Sequence, residues 1–222
     1  RISNDRQPKI APFLSSLMFM PMFTDGPRLY FREVSNANFQ LMQVSALGGE
    51  PIQFTNPFSS PVLFDISPDR SQMLFGNFTT SGEMPIWIVP TLGGSPRRVS
   101  GLLVADATWT PDGQKIVYAH ENDLLVVHGQ GGDPQKLVTL PGMARWLRWS
   151  PDGRRLRFTL SDPKTGSNSL WEIAADGKRP HPILSDFNDP PAECCGDWTH
   201  DGRFFIFQST KNNRTNIFAI QE

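Results

Sequence analysis

Few residues in this chain of 222 have the type and spacing to do chemistry. Cys194 and Cys195 are its only cysteines, and they are adjacent. A zinc site takes about four ligands, and none stands at ligand-like spacing around this pair. A bridge between neighbours is sterically demanding, so two free thiols are expected. His120, His128, His181 and His200 are scattered; to act as a base each would need a partner, whereas His200 as a turn residue needs none. Asp106 and Asp197 fall near the inner strands of the pattern described next, where an acidic or metal-binding centre is one reading. Their different offsets favour the plainer one, carboxylates that orient loops by hydrogen bonding.

A repeat positions these residues. The fragment Trp149-Ser150-Pro151-Asp152-Gly153 ends one strand, turns it, and leads into another with Leu156 and Phe158 on one side. Serine at the first corner, proline with its fixed φ at the second and glycine at the fourth specify a type I turn closed by a left-handed residue. The turn aspartates Asp25, Asp69, Asp112, Asp152 and Asp201 recur at intervals of 40 to 49 residues. Four residues after each stand Leu29, Met73, Ile116, Leu156 and Phe205; six after stand Phe31, Phe75, Tyr118, Phe158 and Phe207. Apolar residues at period two predict a strand with one buried face. A further strand follows at 41–44, 86–89, 124–127, 170–173 and 217–220, and in the first four units a glycine turn comes next. Short strands opening near Pro51, Pro96 and Pro134 fit sheet edges, where a missing amide donor is tolerated. Arg70 stands where the turn wants glycine, costing roughly 1 kcal/mol if left-handed.

Four-stranded antiparallel units at this period are the signature of β-propeller blades. The expected fold is all-β, a β-propeller with about five blades present, at approximately 10–55, 61–100, 104–140, 144–184 and an incomplete 194–222. Residues 1–5 read as the outer strand of a preceding or closing blade, and the whole as one propeller segment, a fragment of a larger ring. A net charge of −1 argues against nucleic-acid binding by this segment itself, since phosphate affinity needs clustered cations. The one local exception, Arg145, Arg148, Arg154, Arg155 and Arg157, reads as a solvated strand face. The apolar stretch 10–23 is broken by Pro12, Ser15, Ser16 and Pro21 and is too short to span a bilayer. The chain opens on Arg1 without a signal-peptide pattern, and no cofactor is expected.

The Trp-[Ser/Thr]-Pro-Asp-Gly runs with their following apolar-x-aromatic pairs, 109–118 and 149–158, resemble the WD-repeat-like blades of TolB-type propellers. The run Pro190-Pro191-Ala192-Glu193-Cys194-Cys195-Gly196-Asp197-Trp198 resembles a narrower group, propellers carried by bacterial winged-helix transcriptional regulators. That resemblance implies a non-catalytic recognition module, binding a protein partner or a small ligand within a larger bacterial protein. At blade level the chain is equally similar to the propeller of prolyl-oligopeptidase-like peptidases, whose Gly-x-Ser-x-Gly elbow does not occur in these residues. The TolB resemblance points to the periplasm; free thiols would suit a reducing interior.

Alternation of turns and loops also predicts a working face. Asp-Gly and Gly-Gly turns join strands at one edge of each blade, so the longer loops emerge at the other, where recognition is usually placed. Candidate contact residues on that face are Asp162, Lys164, Asn188, Asp189, Glu193, Lys211, Asn213 and Arg214. No catalytic, cofactor-binding or metal-binding residues are assigned.

Overall fold

Turn chemistry sets the geometry of each hairpin. In a computed structural model, which describes residues 22–35, 38–78, 83–212 and 214–222, Ser67, Thr110, Ser150 and Thr199 donate a hydroxyl hydrogen bond to the aspartate two residues on, at 2.6–2.7 Å. The same oxygen accepts the backbone amide five residues on, as from Arg155 N to Ser150 Oγ at 3.0 Å. The Ser150 hydroxyl, and after it the Arg154 amide, holds the Asp152 carboxyl below the usual carboxylate range. Gly153 closes its corner at a φ of 69°, and a Cβ added there would press within 3.1 Å of Pro111, the proline of the preceding turn. Arg70 takes a φ of 63° in the corresponding corner, a left-handed conformation that costs a non-glycine residue about 1 kcal/mol. The turn at His200 closes through the same Thr199–Asp201 hydrogen bond as its siblings.

Among the described residues nineteen strands follow in five antiparallel sheets. Blade one holds β1 (Phe23–Thr24), β2 (Arg28–Ser35), β3 (Asn38–Ser45) and β4 (Ile52–Gln53). Blade two holds β5 (Pro61–Ile66), β6 (Gln72–Asn77), β7 (Met84–Pro90) and β8 (Arg97–Val104); blade three holds β9 (Asp106–Trp109), β10 (Lys115–His120), β11 (Asp123–His128) and β12 (Gln135–Thr139). Blade four holds β13 (Met143–Trp149), β14 (Arg155–Ser161), β15 (Asn168–Ala174) and β16 (His181–Pro182); blade five has β17 (Glu193–Trp198), β18 (Phe204–Lys211) and β19 (Arg214–Gln221). Each sheet runs in sequence order from inner to outer strand, which makes the fold a β-propeller. The expected strand at 1–5, and the part of the first unit before Met22, lie outside the described residues.

Two compact units divide the chain, residues 1–59 and 60–222. In the first, Asp25 departs from the turn role: it is buried and accepts hydrogen bonds from Tyr30 Oη (2.9 Å) and from the Arg28 side chain and amide. Its second strand is also one residue out of phase, with Tyr30 and Arg32 buried and Leu29 and Phe31 half-buried.

In the second unit the inner strands β5, β9, β13 and β17 neighbour one another in order. Stacking buries β10 and β14 on both faces, not the one predicted from period two. From β10, Ile116 and Tyr118 pack with Phe64, Leu74 and Ile86 of blade two, while Val117 and Ala119 pack with Leu147, Leu156 and Phe158 of blade four. Leu170, Phe205 and Phe207 form the core between blades four and five. In β18 the other face is open, with Ile206 42 % exposed.

Replacing the fully buried Phe158 by alanine is expected to cost about 3–5 kcal/mol in urea unfolding, because transfer and cavity terms add at an interface packed from two blades. Arg70→Gly is expected to shift the same equilibrium the other way by about 0.5–1 kcal/mol, relief of left-handed strain outweighing the entropy that glycine adds to the unfolded chain. Chemical denaturation of the two variants beside the parent checks both signs.

Candidate functional site

The carboxylates of the inner strands are the first groups to weigh as a reactive centre. Asp65 Oδ1 accepts the Ile66 amide (2.8 Å), and its Oδ2 reaches blade three to accept from Thr108 Oγ1 (2.7 Å) and Trp109 N (2.9 Å). Asp106 repeats the device one blade on: Oδ1 accepts the Ala107 amide (2.7 Å) and Oδ2 the Trp146 amide of blade four. Asp197 Oδ1 accepts the Trp198 amide (2.8 Å), and its Oδ2 lies 3.6 Å from Arg148 Nε of blade four. Burial pushes Asp65 up; it pushes Asp106 up to about 6, against the opposing pull of Arg148 and then of the Trp146 amide. These carboxylates therefore tie inner strands together. Asp106 and Asp197 bridge blades rather than orient loops. Asp65, not among the residues singled out from the sequence, stands four residues before its turn aspartate Asp69, as Asp197 stands before Asp201. Among the described residues no three His, Cys, Asp or Glu side chains cluster to hold a metal.

The arginine run is not one solvated face: Arg154 is exposed, but Arg145 and Arg155 are half-buried and Arg148 and Arg157 are buried. Arg148 and Arg157 are 8 % and 4 % exposed. Arg157 Nε lies 2.7 Å from Glu172 Oε2, its Nη1 lies 2.6 Å from Glu222 Oε1, and its guanidinium stacks over Trp198 and Phe205. Arg155 Nη1 also reaches Glu222, at 2.6 Å. Facing period-two positions of β14 look outward by pattern alone, but blade five covers them.

The longer loops meet at the edge opposite the tight turns. The connection 183–192 lies between the hairpin ends of blades four and five: Asn168 N donates to Pro191 O (3.3 Å), and Thr210 N donates to Ala192 O (3.1 Å). Asn188 Nδ2 donates to Glu193 Oε1 (2.8 Å) and Ser209 Oγ (2.6 Å). Lys211 Nζ donates to Phe187 O (3.2 Å) and sits over the Phe187 ring, which in turn packs edge-on to Phe207 and Phe218. Lys164, Asp189, Lys211 and Arg214 are exposed on these segments, and Asp162 is half-buried, caps the 162–167 turn and accepts the Lys164 amide (2.8 Å). Glu193 departs from expectation: it is 1 % exposed, an internal anchor of the connection instead of a contact residue. Asn213 lies outside the described residues.

The cysteines depart as well. Cys194 and Cys195 are joined in a disulfide, and no free cysteine remains among the described residues. The expectation of free thiols rested on the strain of a bridge between neighbours. Cys195 instead has a φ of 62° at a bulge in β17, which turns it out of the strand's alternation.

The tight-turn edge has a hollow of its own, a cleft of about 400 Å³ between blades two and three lined by Ser67, Asp69, Gln72, Trp109, Asp112 and His128 among others. Its carboxylates are already engaged by the turn hydroxyls, and His128 Nδ1 accepts the Gln130 amide (3.2 Å).

No family model matches the chain. Over 138 residues it is 27 % identical to the uncharacterized protein Atu1656 of Agrobacterium fabrum, covering 60 % of this chain and 44 % of that one. Over 84 residues it is 33 % identical to the uncharacterized peptidase YuxL of Bacillus subtilis, covering 34 % of this chain and 13 % of that one. The chain thus spans less than half the length of either relative. Among solved structures, a putative TolB from Agrobacterium tumefaciens matches with a TM-score of 0.71 at 21 % identity, over 89 % of this chain and 74 % of that one. TolB from Acinetobacter baumannii matches with a TM-score of 0.70 at 15 % identity, over 88 % of this chain and 50 % of that one. At such identities the likeness is one of fold, and the fold is a TolB-type β-propeller.

Proposed function

We propose that this chain is a non-catalytic recognition module, a propeller that presents the edge formed by 162–167, 183–192, 211–212 and Arg214 to a protein partner or small ligand. The observation that carries the reading is the anchored connection 183–192. Asn188, the buried Glu193 and Ser209 hold it from within, and Lys211 clamps Phe187, so the exposed charges of Lys164, Asp189 and Arg214 stand on a surface already ordered before binding. Little ordering entropy is then left to lose on association. The use of the inner-strand carboxylates as bridges supports the absence of a catalytic role for them. The TolB-type fold and the resemblance of the Pro190–Trp198 run favour a place within a larger bacterial regulator or TolB-like protein, and the disulfide suits an oxidising compartment such as the periplasm.

The stretch shared with a peptidase of Bacillus subtilis favours a second reading, the propeller of a serine peptidase whose catalytic domain lies outside these residues. Sequencing the coding region on both sides separates the two, by a winged helix or by a hydrolase domain.

One measurement tests the first reading, and another tests the bridging role of Asp106. Affinity capture from the source cells, with Lys164→Glu, Asp189→Lys and Arg214→Glu combined, is expected to lose the partner that the parent chain retains; Arg154→Glu, at the opposite edge, is expected to keep it. Loss with Arg154→Glu alone would move the working face to the tight turns. The second concerns Asp106, whose carboxyl is raised from 3.8 to about 6 in the folded chain. The folded state prefers its proton, so the stability this gives is complete below 3.8 and is lost as the pH rises through about 6. The melting temperature of the parent relative to Asp106→Asn is therefore expected to fall between about pH 4 and pH 7, as thermal melts across that range would show.

A further inference from the structure

We infer that the Cys194–Cys195 disulfide is an exchangeable site, one that a dithiol opens and an oxidant closes without refolding the blade that carries it. This stands apart from the recognition reading and needs no partner for its test. Disulfides that staple a fold do so by closing long loops of the unfolded chain, and the benefit grows with loop length. A bond between adjacent residues encloses no intervening residue, so it constrains the unfolded chain least.

The backbone that brings the two sulfurs together belongs to the fold and not to the bond. The ladder between β17 and β18 shifts register between Cys194 and Asp197, and Cys195 sits there at a φ of 62°. In blade four the ladder between β13 and β14 shifts between Arg145 and Arg148, where Trp146 takes a φ of 52°. Trp146 and Cys195 each precede their turn aspartate by six residues, so blade four holds the same bulge with no sulfur in it. In both blades the bulge amide is tied to the preceding blade, Trp146 N to Asp106 Oδ2 and Cys195 N to Thr159 Oγ1 (3.3 Å). Gly196 is pinned as well, since a Cβ there would fall 2.2 Å from the Phe205 ring. These restraints survive cleavage of the sulfur–sulfur bond, and both cysteines are partly exposed to an incoming thiolate.

The exchange balances as follows. A reductant dithiol attacks one cysteine sulfur through its thiolate, forming a mixed disulfide and releasing the other cysteine as a thiolate that takes up a proton. The second reductant thiolate then attacks the mixed disulfide, frees the second cysteine, and the reductant departs as its own disulfide. Two electrons and two protons have moved to the pair. With no third cysteine in the chain, the thiols can re-pair only with each other or with an external thiol.

Alkylation followed by intact mass measurement tests the site on the full chain, with dithiothreitol as reductant and oxidised glutathione as oxidant. The untreated chain is expected to take no iodoacetamide, the chain treated with dithiothreitol without denaturant to take two, and the reoxidised chain to take none. Circular dichroism is expected to be unchanged on reduction, with a melting shift of less than ~2 °C. Two additions after glutathione treatment would mean that the bond does not form. Additions that appear only in guanidinium would make it a sealed bond, and loss of strand signal on reduction would make it a staple; each would overturn the proposal.

Discussion

A β-sheet four strands wide has two faces and can bury neither alone, and this constraint organises the second unit of the chain. Each blade needs its neighbours, so β10 is apolar on both sides, sending Ile116 and Tyr118 one way and Val117 and Ala119 the other. Close stacking also decides details that look local. Gly113, Gly153 and Gly202 take their left-handed corners without strain, and the same corners rest on Pro68, Pro111 and Pro151 of the preceding turns. At Gly153 an added Cβ would press on Pro111 at 3.1 Å. At Gly113 and Gly202 it would meet the proline at ordinary contact distance, and the cost would fall on the turn alone, as it does at Arg70.

Stacking recruits polar groups into the architecture. Hydrophobic contact fixes how closely two blades approach, but being non-directional it leaves their relative register loosely set. The carboxylates of Asp65 and Asp106, each accepting an amide from the next inner strand, supply that direction. Between blades four and five the same service comes from cations, with Arg157 held by Glu172 and Glu222 and covered by Trp198. Buried ion pairs add little net stability against their desolvation cost, and specifying one arrangement over its neighbours is the better account of such a cluster.

What the sequence revealed follows from the range of the interactions involved. The hairpin turns depend on residues within five positions of one another, so Ser150, Asp152 and Gly153 announced their geometry, and Arg70 announced its strain. The period-two pattern located the strands, yet it could not tell a sheet with one covered face from a blade packed on both, because Val117 and Ala119 acquire their burial from residues some forty positions away. The same distance hid the Asp65 bridge and the covering of Arg157. In blade one the aspartate was visible but its role was not: Asp25 serves Tyr30 and Arg28 inside the sheet. For the cysteines, adjacency alone pointed to free thiols; the left-handed bulge that joins them depends on a register shift against β18.

The two edges of the blades divide the available hydrogen-bonding capacity unequally. At the tight turns, Asp69, Asp112, Asp152 and Asp201 are engaged by hydroxyls and amides of their own corners, which holds their carboxyls below the usual range. A ligand arriving there would compete with bonds that define the hairpins. At the other edge the internal anchoring falls to buried or half-buried groups, Glu193, Ser209 and Asn188, and to the ring of Phe187. Lys164, Asp189 and Arg214 are thereby left exposed on a connection whose shape is maintained from beneath. Binding by these charges would leave the anchoring bonds intact, and a surface with that property can evolve its contacts without disturbing the stack that supports it.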